Sequence, residues 1–477
     1  MNDIKKNKKL ALKSGKTRKH DASSGKVNKG SRTLWIVLLI SMIFISIVIS
    51  SSLIFDLGGG HRGSDTKKYN LIVIVFDAMR YDHLGCYGYS KGTSPNIDAL
   101  CKESVVFDNA IAQCAATRCS TTSLFTSTYY NAHGVDNPWS VKFSKFKKNY
   151  TFNESFPENY ITLAEILSSN GIYTYMISEN SLANITKGFN KTYLYDENST
   201  ISKFDANIES TRKVIDEIRD NKDRQFFIYA HYVTTHLPFI APDSYSAEFR
   251  NSNYSGIFNF KNYTQQDILS RKDLSAGEVA ELRADYDGEV LVSDDIVGSI
   301  RNALGRYNLT GNTAIVLIAD HGEELDEKDY FDHPGLAHDR ITNRVIQIPL
   351  IFFIPGKRAE RIGSMVESID ISPSILKLMG ISVPGQFSGS DLLGKSHEYA
   401  FSSDKFGNVG VRTEEYLFIL NDDKYLKVAT SLGFNVSKTE LYDLRNDPFE
   451  LHAIRDAVKE KEFTSAAQDY LDKDYVR

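Results

Sequence analysis

The chain has 477 residues, which is enough for a large α/β domain with a smaller one beside it. A hydrophobic content of 42% and an aromatic content of 12% describe a globular protein with a core. The formal net charge of −5 argues against a nucleic-acid-binding protein, which would need a basic face.

The N-terminal part of the chain has the pattern of a membrane anchor. Residues 1–33 are strongly basic and contain few large apolar residues, so we expect an unfolded cytoplasmic tail. Residues 34–55 carry no charge, and a helix of that length, at about 1.5 Å per residue, crosses a hydrocarbon core of roughly 30 Å. A cleaved signal peptide is the alternative, but the basic leader is long and no small-x-small cleavage site follows. We predict a retained single-pass transmembrane helix with the N-terminus in the cytoplasm and the chain after Asp56 outside the cell, at the cell membrane.

Two further features fit an extracellular domain. Asn-x-Ser/Thr sequons, each weak evidence alone, predict a glycoprotein. They begin at Asn149, Asn153, Asn184, Asn190, Asn198, Asn253, Asn262, Asn308 and Asn435. The cysteines are Cys86, Cys101, Cys114 and Cys119, an even number that permits disulfides, and their spacing lacks a paired C-x-x-C zinc signature.

After a Gly-rich linker at residues 56–68, the chain alternates apolar runs with helical patterns. The apolar, β-branched run Asn70–Phe76 is typical of a strand that is buried on both faces of a parallel sheet. Similar runs are Ile172–Ile177, Phe226–Tyr232, Ala314–Ile318 and Leu350–Ile354, and helical patterns occur at Ile161–Ser169 and Ile208–Ile218. This alternation predicts βαβ units and a helix-flanked sheet, so we expect an α/β domain over residues 69–380.

The pattern of predicted elements changes after residue 380. Short strands are predicted at Glu415–Leu420 and Lys424–Ala429, and a last helix at Ala457–Asp472. We interpret residues 381–477 as a small α+β subdomain that packs on the first domain.

Two of the predicted strands end in residues that bind metals. Asp77 follows the first strand, and the strand AIVLIAD ends at Asp320, which His321 follows. Ligands collect at the carboxyl ends of strands in open α/β sheets, and an Asp-His pair there can offer an oxygen and a nitrogen to one divalent cation. A single strand-terminal Asp is more often a helix or turn cap, but the two strand ends together indicate a metal site.

Thr117 lies where a loop becomes a helix, at the start of TRCSTTSLFTSTYYNAHGV. As an N-cap, its side-chain oxygen would lie beside unsatisfied backbone N–H groups. The positive end of the helix favours a tetrahedral anion or an alkoxide there, and a bound metal would lower the pKa of the hydroxyl further. For this residue taken alone, an ordinary Thr N-cap is the alternative.

Several segments between residues 70 and 450 carry a family resemblance. They read FDAMRYDHLGCYGYSKGTSPNIDAL, FDNAIAQCAATRCSTTSLFTSTYYNAHGV, HYVTTHLPF, IADHGEEL, VIQIPLIFFIPG, SIDISPSILKLMGISVPG and ELYDLRNDPFE. In this order they resemble the sulfatase family, which belongs to the alkaline-phosphatase-like superfamily. The resemblance implies a mixed sheet between helices with a small C-terminal subdomain.

The resemblance also implies roles for individual residues. Asp77, Asp320 and His321 match metal ligands, and Thr117 matches the position of the nucleophile, which also contacts the metal. His236, in the H-x-P turn, matches a substrate or leaving-group contact. His338, in GLAHDR, matches another active-site histidine. Arg118 could reach the anion. Arg118 has a guanidinium that matches sulfate and phosphate oxygens, although a structural role fits its helical position equally well.

The nucleophile position departs from the sulfatase pattern. Sulfatases carry a Cys or Ser there that is oxidised to formylglycine, and Thr117 cannot undergo that change, so we do not expect formylglycine. Family members with Thr resemble the membrane-anchored phosphoethanolamine and lipoteichoic-acid-type transferases. A rival register places Cys114 of C-A-A-T-R at the nucleophile position but requires a three-residue shift against both flanks. Cys114 and Cys119 could equally form a disulfide around the turn at Thr117.

A second departure is Ala78, where many sulfatases have another metal-binding Asp. One divalent ion with fewer carboxylates is expected, and Ca²⁺, Mn²⁺, Mg²⁺ and Zn²⁺ all remain open. We interpret Arg80 and Asp82 as a supporting ion pair.

Three functions remain open from the sequence. The first is an outward-facing, metal-dependent hydrolase of sulfate or phosphate esters in which Thr117 attacks and His236 or His338 helps the leaving oxygen depart. The second is a phosphoglycerol- or phosphoethanolamine-type transferase, and the third is a non-catalytic surface binding protein. The expected partners are an anionic ester (a glycan, a lipid head group or a small molecule) and the membrane, without nucleic acid.

Overall fold

We describe the protein from a computed structural model. It describes residues 68–135, 156–195, 201–251, 253–260, 263–269, 271, 274–327, 331–332, 341–394, 396–431 and 436–473, which all belong to the unit Lys67–Arg477. The predicted tail and transmembrane helix at residues 1–55 lie outside these ranges, as does His338. Among the helices that the structure does describe, none combines the length and the apolar character needed to cross a bilayer.

Two main sheets contain most of the strands. In chain order the strands are β1 (Asn70–Phe76), β2 (Val105–Ile111), β3 (Tyr173–Ser178), β4 (Lys191–Leu194), β5 (Phe226–Tyr232), β6 (Thr313–Ala319), β7 (Glu324–Leu325), β8 (Phe331–Asp332), β9 (Gln347–Phe353), β10 (Glu360–Glu367), β11 (Ala400–Ser403), β12 (Val409–Arg412), β13 (Tyr416–Leu420) and β14 (Thr439–Asp443). The larger sheet has eight strands in the order β10-β2-β9-β6-β1-β5-β3-β4, and β11 to β14 form the second sheet in sequence order.

The helices surround these sheets. They are α1 (Pro95–Cys101), α2 (Thr117–Thr126), α3 (Tyr130–His133), α4 (Leu163–Ser169), α5 (Lys203–Asp220), α6 (Asp243–Ser246), α7 (Gln265–Leu269), α8 (Ala276–Arg306), α9 (Asn343–Ile346), α10 (Ile371–Leu378), α11 (Asp423–Ser431) and α12 (Ala457–Asp472). Short 3₁₀ turns occur at Tyr81–His83, Gly85–Tyr87, Ser181–Ala183, Ile257–Phe260 and Ser368–Asp370.

The larger sheet is mixed, as the family resemblance implied. Strands β6, β1, β5, β3 and β4 run parallel to one another, whereas β9 runs antiparallel to both β2 and β6. Every residue of β1, β5 and β6 is buried, because helices cover both faces of a sheet of this kind. The carboxyl ends of four neighbouring parallel strands, β6, β1, β5 and β3, therefore lie at one edge.

The strongest apolar runs were predicted well. Asn70–Phe76 and Phe226–Tyr232 form strands with the predicted bounds, and the helix at Ala457–Asp472 also has its predicted bounds. The other predicted strands are present with shifted ends, except Lys424–Ala429, which lies in a helix. Their ends shift because backbone pairing with the neighbouring strand, rather than side-chain hydrophobicity, decides where a strand stops.

The longest helix, α8, was not predicted. It begins with a capping box in which the Ser275 hydroxyl accepts from the N–H of Glu278 and the Glu278 carboxylate accepts from the N–H of Ser275. Its buried side includes Asp285, Asp287 and Asp294, which are bound by Arg250, by His83 and Lys91, and by backbone N–H groups. These acids interrupt the apolar period that normally identifies a helix in a sequence.

The C-terminal part contains the antiparallel sheet β11-β12-β13-β14, with α12 packed on it. The predicted strand at Lys424–Ala429 is wrong, since these residues belong to helix α11. The N–H of Leu426 donates to the Asp422 carbonyl, and the Thr430 hydroxyl donates to the Leu426 carbonyl, which are the four-residue contacts of a helix. The domain boundary at residue 380 stays a prediction.

All four cysteines form disulfides within the sequence stretch that contains them. Cys86 pairs with Cys101, and Cys114 pairs with Cys119. The second pair is the disulfide around the turn at Thr117 that the sequence left as one of the possibilities for these cysteines.

Candidate active site

The candidate active site lies at the carboxyl ends of the central parallel strands. Asp77 directly follows β1 and Asp320 directly follows β6, its immediate neighbour in the sheet. His231 is the sixth residue of β5, and Asn180 lies two residues beyond the end of β3. This is the edge at which open α/β sheets bind ligands.

Asp77, Asp320 and His321 form a buried cluster whose ligand atoms all lie within 4.8 Å of one another. His321 Nε2 lies 3.5 Å from Asp77 Oδ1 and 3.6 Å from Asp320 Oδ2. Neither of these two carboxylate oxygens accepts a hydrogen bond from the part of the chain that the structure describes. Two buried carboxylates with unsatisfied oxygens are unfavourable unless a cation binds between them. The donor set therefore fits a divalent metal.

Burial and mutual repulsion shift the pKa values of this cluster. Burial, reinforced by the neighbouring charge of Asp77, raises the pKa of Asp320 to about 7. Burial also acts to raise the pKa of Asp77, but the combined influence of His236, His231 and His321 holds it well below its usual range. Burial lowers the pKa of His321, which favours the neutral imidazole that binds metals.

Ala78 contributes its backbone rather than a side chain. Its φ of 59° lies in the left-handed region, which is unusual for a residue with a Cβ. The N–H of Ala78 donates to Asp320 Oδ1 at 3.3 Å, and its carbonyl accepts from the Tyr286 hydroxyl at 2.8 Å. These bonds hold the chain after Asp77 and link it to Asp320.

Thr117 is brought to the cluster by helix α2. Its Oγ1 lies 3.4 Å from His321 Nε2 and 3.4 Å from Asn180 Nδ2, and the residue is buried. The N-cap of the helix is Ala116 and Thr117 is the first helical residue, so the expectation that Thr117 is itself the N-cap is corrected by one position. The hydroxyl still lies at the positive end of the helix, where an alkoxide is favoured.

Cys114, the rival candidate for the nucleophile, is part of a disulfide. Its sulfur is bonded to Cys119 and lies 3.5 Å from Ser120 Oγ. It packs in a small cluster with Ala116, Cys119 and Tyr130. The geometry therefore favours the register in which Thr117 occupies the nucleophile position.

The other predicted site residues have different surroundings. His236 lies on the loop after β5, where its Nδ1 is 2.8 Å from the Leu237 carbonyl oxygen and its own carbonyl accepts from Lys203 Nζ at 2.7 Å. Its effect on the pKa of Asp77 indicates that it lies close to the cluster. Arg118 is half-buried in the first turn of α2, and its role stays a prediction. So does the role of His338, which lies outside the described residues.

The predicted ion pair between Arg80 and Asp82 is confirmed. Arg80 Nε donates to Asp82 Oδ1 at 2.9 Å and Arg80 Nη2 donates to Asp82 Oδ2 at 2.8 Å. Arg80 is buried and also binds Glu327, while Arg344 binds Asp82 from the other side. The network supports the loop after Asp77.

Two site residues were missed from the sequence. Asn180 Nδ2 donates to Asp77 Oδ2 at 2.5 Å, and its Oδ1 accepts from the N–H of Leu182. His231 Nε2 lies 3.5 Å from Asp77 Oδ2 and 3.7 Å from Asp320 Oδ2. Both residues lie at the carboxyl ends of predicted strands, and that position was the signal that could have identified them.

Comparisons with known proteins agree with this fold. A family model described as sulfatase matches residues 69–381, and one described as N-sulphoglucosamine sulphohydrolase, C-terminal, matches residues 327–475. An arylsulfatase of Clostridium perfringens is 22% identical over 473 residues, covering 86% of this chain and 94% of its own length.

Solved structures show the same fold. BT4656, solved in complex with its substrate D-glucosamine-2-N,6-O-disulfate, has a TM-score of 0.67 and 18% identity and covers 86% of this chain and 98% of its own. The phosphonate monoester hydrolase of Agrobacterium radiobacter has a TM-score of 0.65 and 17% identity, with 84% and 94% coverage. The chain belongs to the sulfatase family and is an ester hydrolase of that family.

Proposed function

We propose that the protein is a metal-dependent hydrolase of sulfate or phosphate esters that uses Thr117 as its nucleophile and acts outside the cell from a membrane anchor. The observation that carries the proposal is the convergence of the Thr117 hydroxyl on the cluster of Asp77, Asp320 and His321. Family membership supports ester hydrolysis, and the site geometry supports the choice of nucleophile.

The surroundings of Thr117 suit a nucleophilic hydroxyl. Its oxygen lies within 3.4 Å of an imidazole nitrogen and of an amide nitrogen, and the N-terminus of α2 adds a positive electrostatic potential. The Thr121 hydroxyl donates to the Thr117 carbonyl at 2.6 Å, which holds the first turn of the helix. The attacking oxygen is thus positioned before substrate binds.

Asp77, Asp320 and His321 would hold the metal. When bound, a divalent cation supplies Lewis acidity that stabilises the charge on the ester oxygens and lowers the pKa of a neighbouring hydroxyl. The carboxylates orient the ion, while backbone N–H groups of Ala78 and His321 fix Asp320 by donating to its Oδ1. His236 would give a proton to the leaving oxygen.

Extracellular action is supported by two features. The uncharged stretch at residues 34–55 has the length of a transmembrane helix and follows a basic segment. Both disulfides are of the kind that persists in oxidising compartments.

A second candidate function is a phosphoglycerol- or phosphoethanolamine-type transferase. Thr117 favours it, because a phosphorylated threonine can pass its group to an alcohol as well as to water. The two functions differ only in the acceptor. An acceptor alcohol that shifts the product from the free acid to an ester would identify the transferase.

Substitution at Thr117 tests the proposed nucleophile. The full-length protein, loaded with Mn²⁺ or Zn²⁺, would be assayed with chromogenic sulfate esters, phosphate monoesters and phosphate diesters. We expect Thr117→Ala to lower kcat by at least about 10³-fold, because a nucleophile cannot be replaced by a methyl group. Thr117→Ser keeps the hydroxyl and should retain measurable turnover.

The matched control removes the rival residue. Cys114→Ala combined with Cys119→Ala deletes the disulfide without leaving a free thiol, and it should keep the chemistry of Thr117. Activity that survives Thr117→Ala but disappears in the double cysteine variant would instead identify Cys114 as the precursor of formylglycine. Absence of turnover of every ester by the metal-loaded wild type would favour a binding protein.

A further inference from the structure

His231 is a buried imidazole that faces the two carboxylates of the cluster. Its side chain is fully buried, and its Nε2 lies 3.5 Å from Asp77 Oδ2 and 3.7 Å from Asp320 Oδ2. These separations exceed normal hydrogen-bond distances, and Nε2 has no hydrogen-bond partner within the described ranges. A buried ring nitrogen of this kind needs a ligand to offset its lost hydration.

Three atoms at the site share this property. Asp77 Oδ1, Asp320 Oδ2 and His231 Nε2 are all buried and form no hydrogen bond to the described residues. Donors of one ion with ligand distances of about 2.0–2.2 Å lie roughly 3–3.4 Å apart. The separations of 3.5 to 3.7 Å between His231 and the two carboxylates approach that range, so a small inward movement would bring them onto a common ion.

We propose that His231 is a further ligand of the metal, so that two imidazoles and two carboxylates hold an ion that prefers nitrogen donors, Zn²⁺ rather than Ca²⁺. The inference rests on the metal site of the proposed function and extends it to a residue on a third strand. Calcium takes six to eight oxygen ligands, whereas imidazole suits zinc. Ala78 supplies no side-chain oxygen next to Asp77, which moves the donor set further from calcium.

His231 and His321 approach the carboxylates from different sides. His321 Nε2 is near Asp77 Oδ1, whereas His231 Nε2 is near Asp77 Oδ2. The group of donors within 4.8 Å of one another includes His321 but does not extend to His231. Both rings would therefore have to move toward the carboxylates to bind a common ion.

Tyr229 holds the other nitrogen of His231. Its hydroxyl lies 3.0 Å from His231 Nδ1, and both side chains project from the same face of β5 because they are two residues apart. With Nε2 on a metal, Nδ1 would carry the proton and donate to the Tyr229 oxygen. An outer partner of this kind fixes the tautomer of a ligating histidine.

Metal binding by the full-length protein tests the assignment without using activity. Chelator-treated wild type would be titrated with Zn²⁺ and Ca²⁺ by calorimetry, and with Co²⁺ followed by its visible absorption. His231→Gln should weaken zinc binding by more than about 100-fold, beyond the about 10–100-fold that loss of an outer partner causes, and should change the cobalt spectrum. Tyr229→Phe should fall within the smaller range.

The control is His133→Gln, which alters a buried histidine bound to Ser123 and to the N–H of Val135 instead of to the cluster. It should leave the zinc affinity and the cobalt spectrum as in the wild type. Thermal melting of the metal-free variants identifies any that do not fold. If His231→Gln does not fold, Tyr229→Phe serves as the second probe of His231, because phenylalanine has almost the same volume as tyrosine.

The measurements distinguish failure of the His231 assignment from failure of the proposed metal site. A folded His231→Gln variant with an unchanged cobalt spectrum or a loss of less than about 100-fold overturns the ligand assignment, as does a wild type that binds Ca²⁺ more tightly than Zn²⁺. If His231→Gln does not fold, an unchanged zinc affinity in Tyr229→Phe overturns it. A wild type that binds none of these ions, or an Asp77→Asn variant that binds them equally well, contradicts the proposed metal site itself.

Discussion

Asn180 is the residue that connects the proposed nucleophile to the metal cluster. One amide nitrogen donates to Asp77 Oδ2 at 2.5 Å and lies 3.4 Å from Thr117 Oγ1. The two hydrogens of that nitrogen can serve both oxygens at once. In the proposed mechanism, the amide would therefore orient Asp77 and stabilise negative charge on Thr117 as it attacks.

Removal of this amide should slow catalysis. We expect Asn180→Ala to lower kcat by about 10²-fold, the effect of losing one donor to a developing charge, with a smaller change in KM. Steady-state kinetics on the most active chromogenic ester would measure it. Asn170→Ala is a control, because Asn170 is exposed and its amide donates only to the Ile166 carbonyl at the end of α4. An Asn180→Ala variant with wild-type kcat would remove Asn180 from the mechanism.

At the residue scale, the sequence predicted the site in part. Asp77, Asp320, His321 and Thr117 could be identified because each follows or begins a recognisable element. The only sequence signal for His231 was its position near the carboxyl end of a predicted strand, and its contact with Asp77 depends on the register in which Val75 pairs with His231. Sheet order and register depend on long-range pairing that a single sequence does not display.

Among the elements, helix α8 has one glycine at a closely packed contact and another with free space around it. At Gly288, a Cβ would lie 2.7 Å from Ser246 Cβ and 3.0 Å from Ser246 Cα. At Gly305, near the end of the same helix, the nearest atom to an added Cβ would be Thr310 Oγ1 at 4.0 Å. The first glycine allows α6 to approach α8, whereas the second only weakens the helix.

These two glycines make a matched pair. Gly288→Ala should lower the free energy of unfolding by about 1–3 kcal/mol, because an added methyl overpacks the contact with α6. Gly305→Ala should raise it by up to about 1 kcal/mol, since alanine has the higher helix propensity. Urea unfolding of both variants would measure the difference. Equal effects of the two substitutions would contradict the close contact between α6 and α8.

The same scale shows where sequence patterns mislead. Lys424–Ala429 has apolar residues that fit either period, because residues four apart share a face in a helix and in a strand. The backbone hydrogen bonds of the folded chain select the helix. In α8, buried acids replaced the apolar residues that would have revealed it. By contrast, β1 and β5 were predicted with their bounds because every one of their side chains is buried, and an uninterrupted apolar run has few other interpretations.

In the molecule as a whole, Glu367 joins the two main sheets. It ends β10, and its carboxylate accepts from the N–H of Phe401 in β11 at 2.8 Å and from the Tyr129 hydroxyl at 2.5 Å. Burial, with a contribution from Asp370 and against the influence of His397, raises the pKa of Glu367 to about 7 from its ordinary 4.5.

This pKa predicts a pH-dependent stability. Between about pH 4.5 and about pH 7 the folded protein binds the Glu367 proton and the unfolded chain does not, so the contribution of this group to the free energy of unfolding falls as the pH rises. Glu367→Gln stays neutral and should remove that part of the decline. Urea unfolding at several pH values would test it, and parallel profiles for the variant and the wild type would contradict the prediction.

The order of strands in the larger sheet has a consequence for biosynthesis. Strand β2, which leads into the helix carrying Thr117, is translated early, yet its two neighbours in the described sheet, β9 and β10, begin at Gln347 and Glu360. During synthesis on a ribosome or a translocon, the backbone N–H and C=O groups on both edges of β2 therefore have no sheet partner until most of the polypeptide has emerged. Exposed edges of this kind pair readily with other strands. We therefore expect chaperones to bind a nascent chain that is arrested before Gln347. In such a chain Thr117 has already been synthesised, but β2, which precedes it, has not yet paired in the sheet.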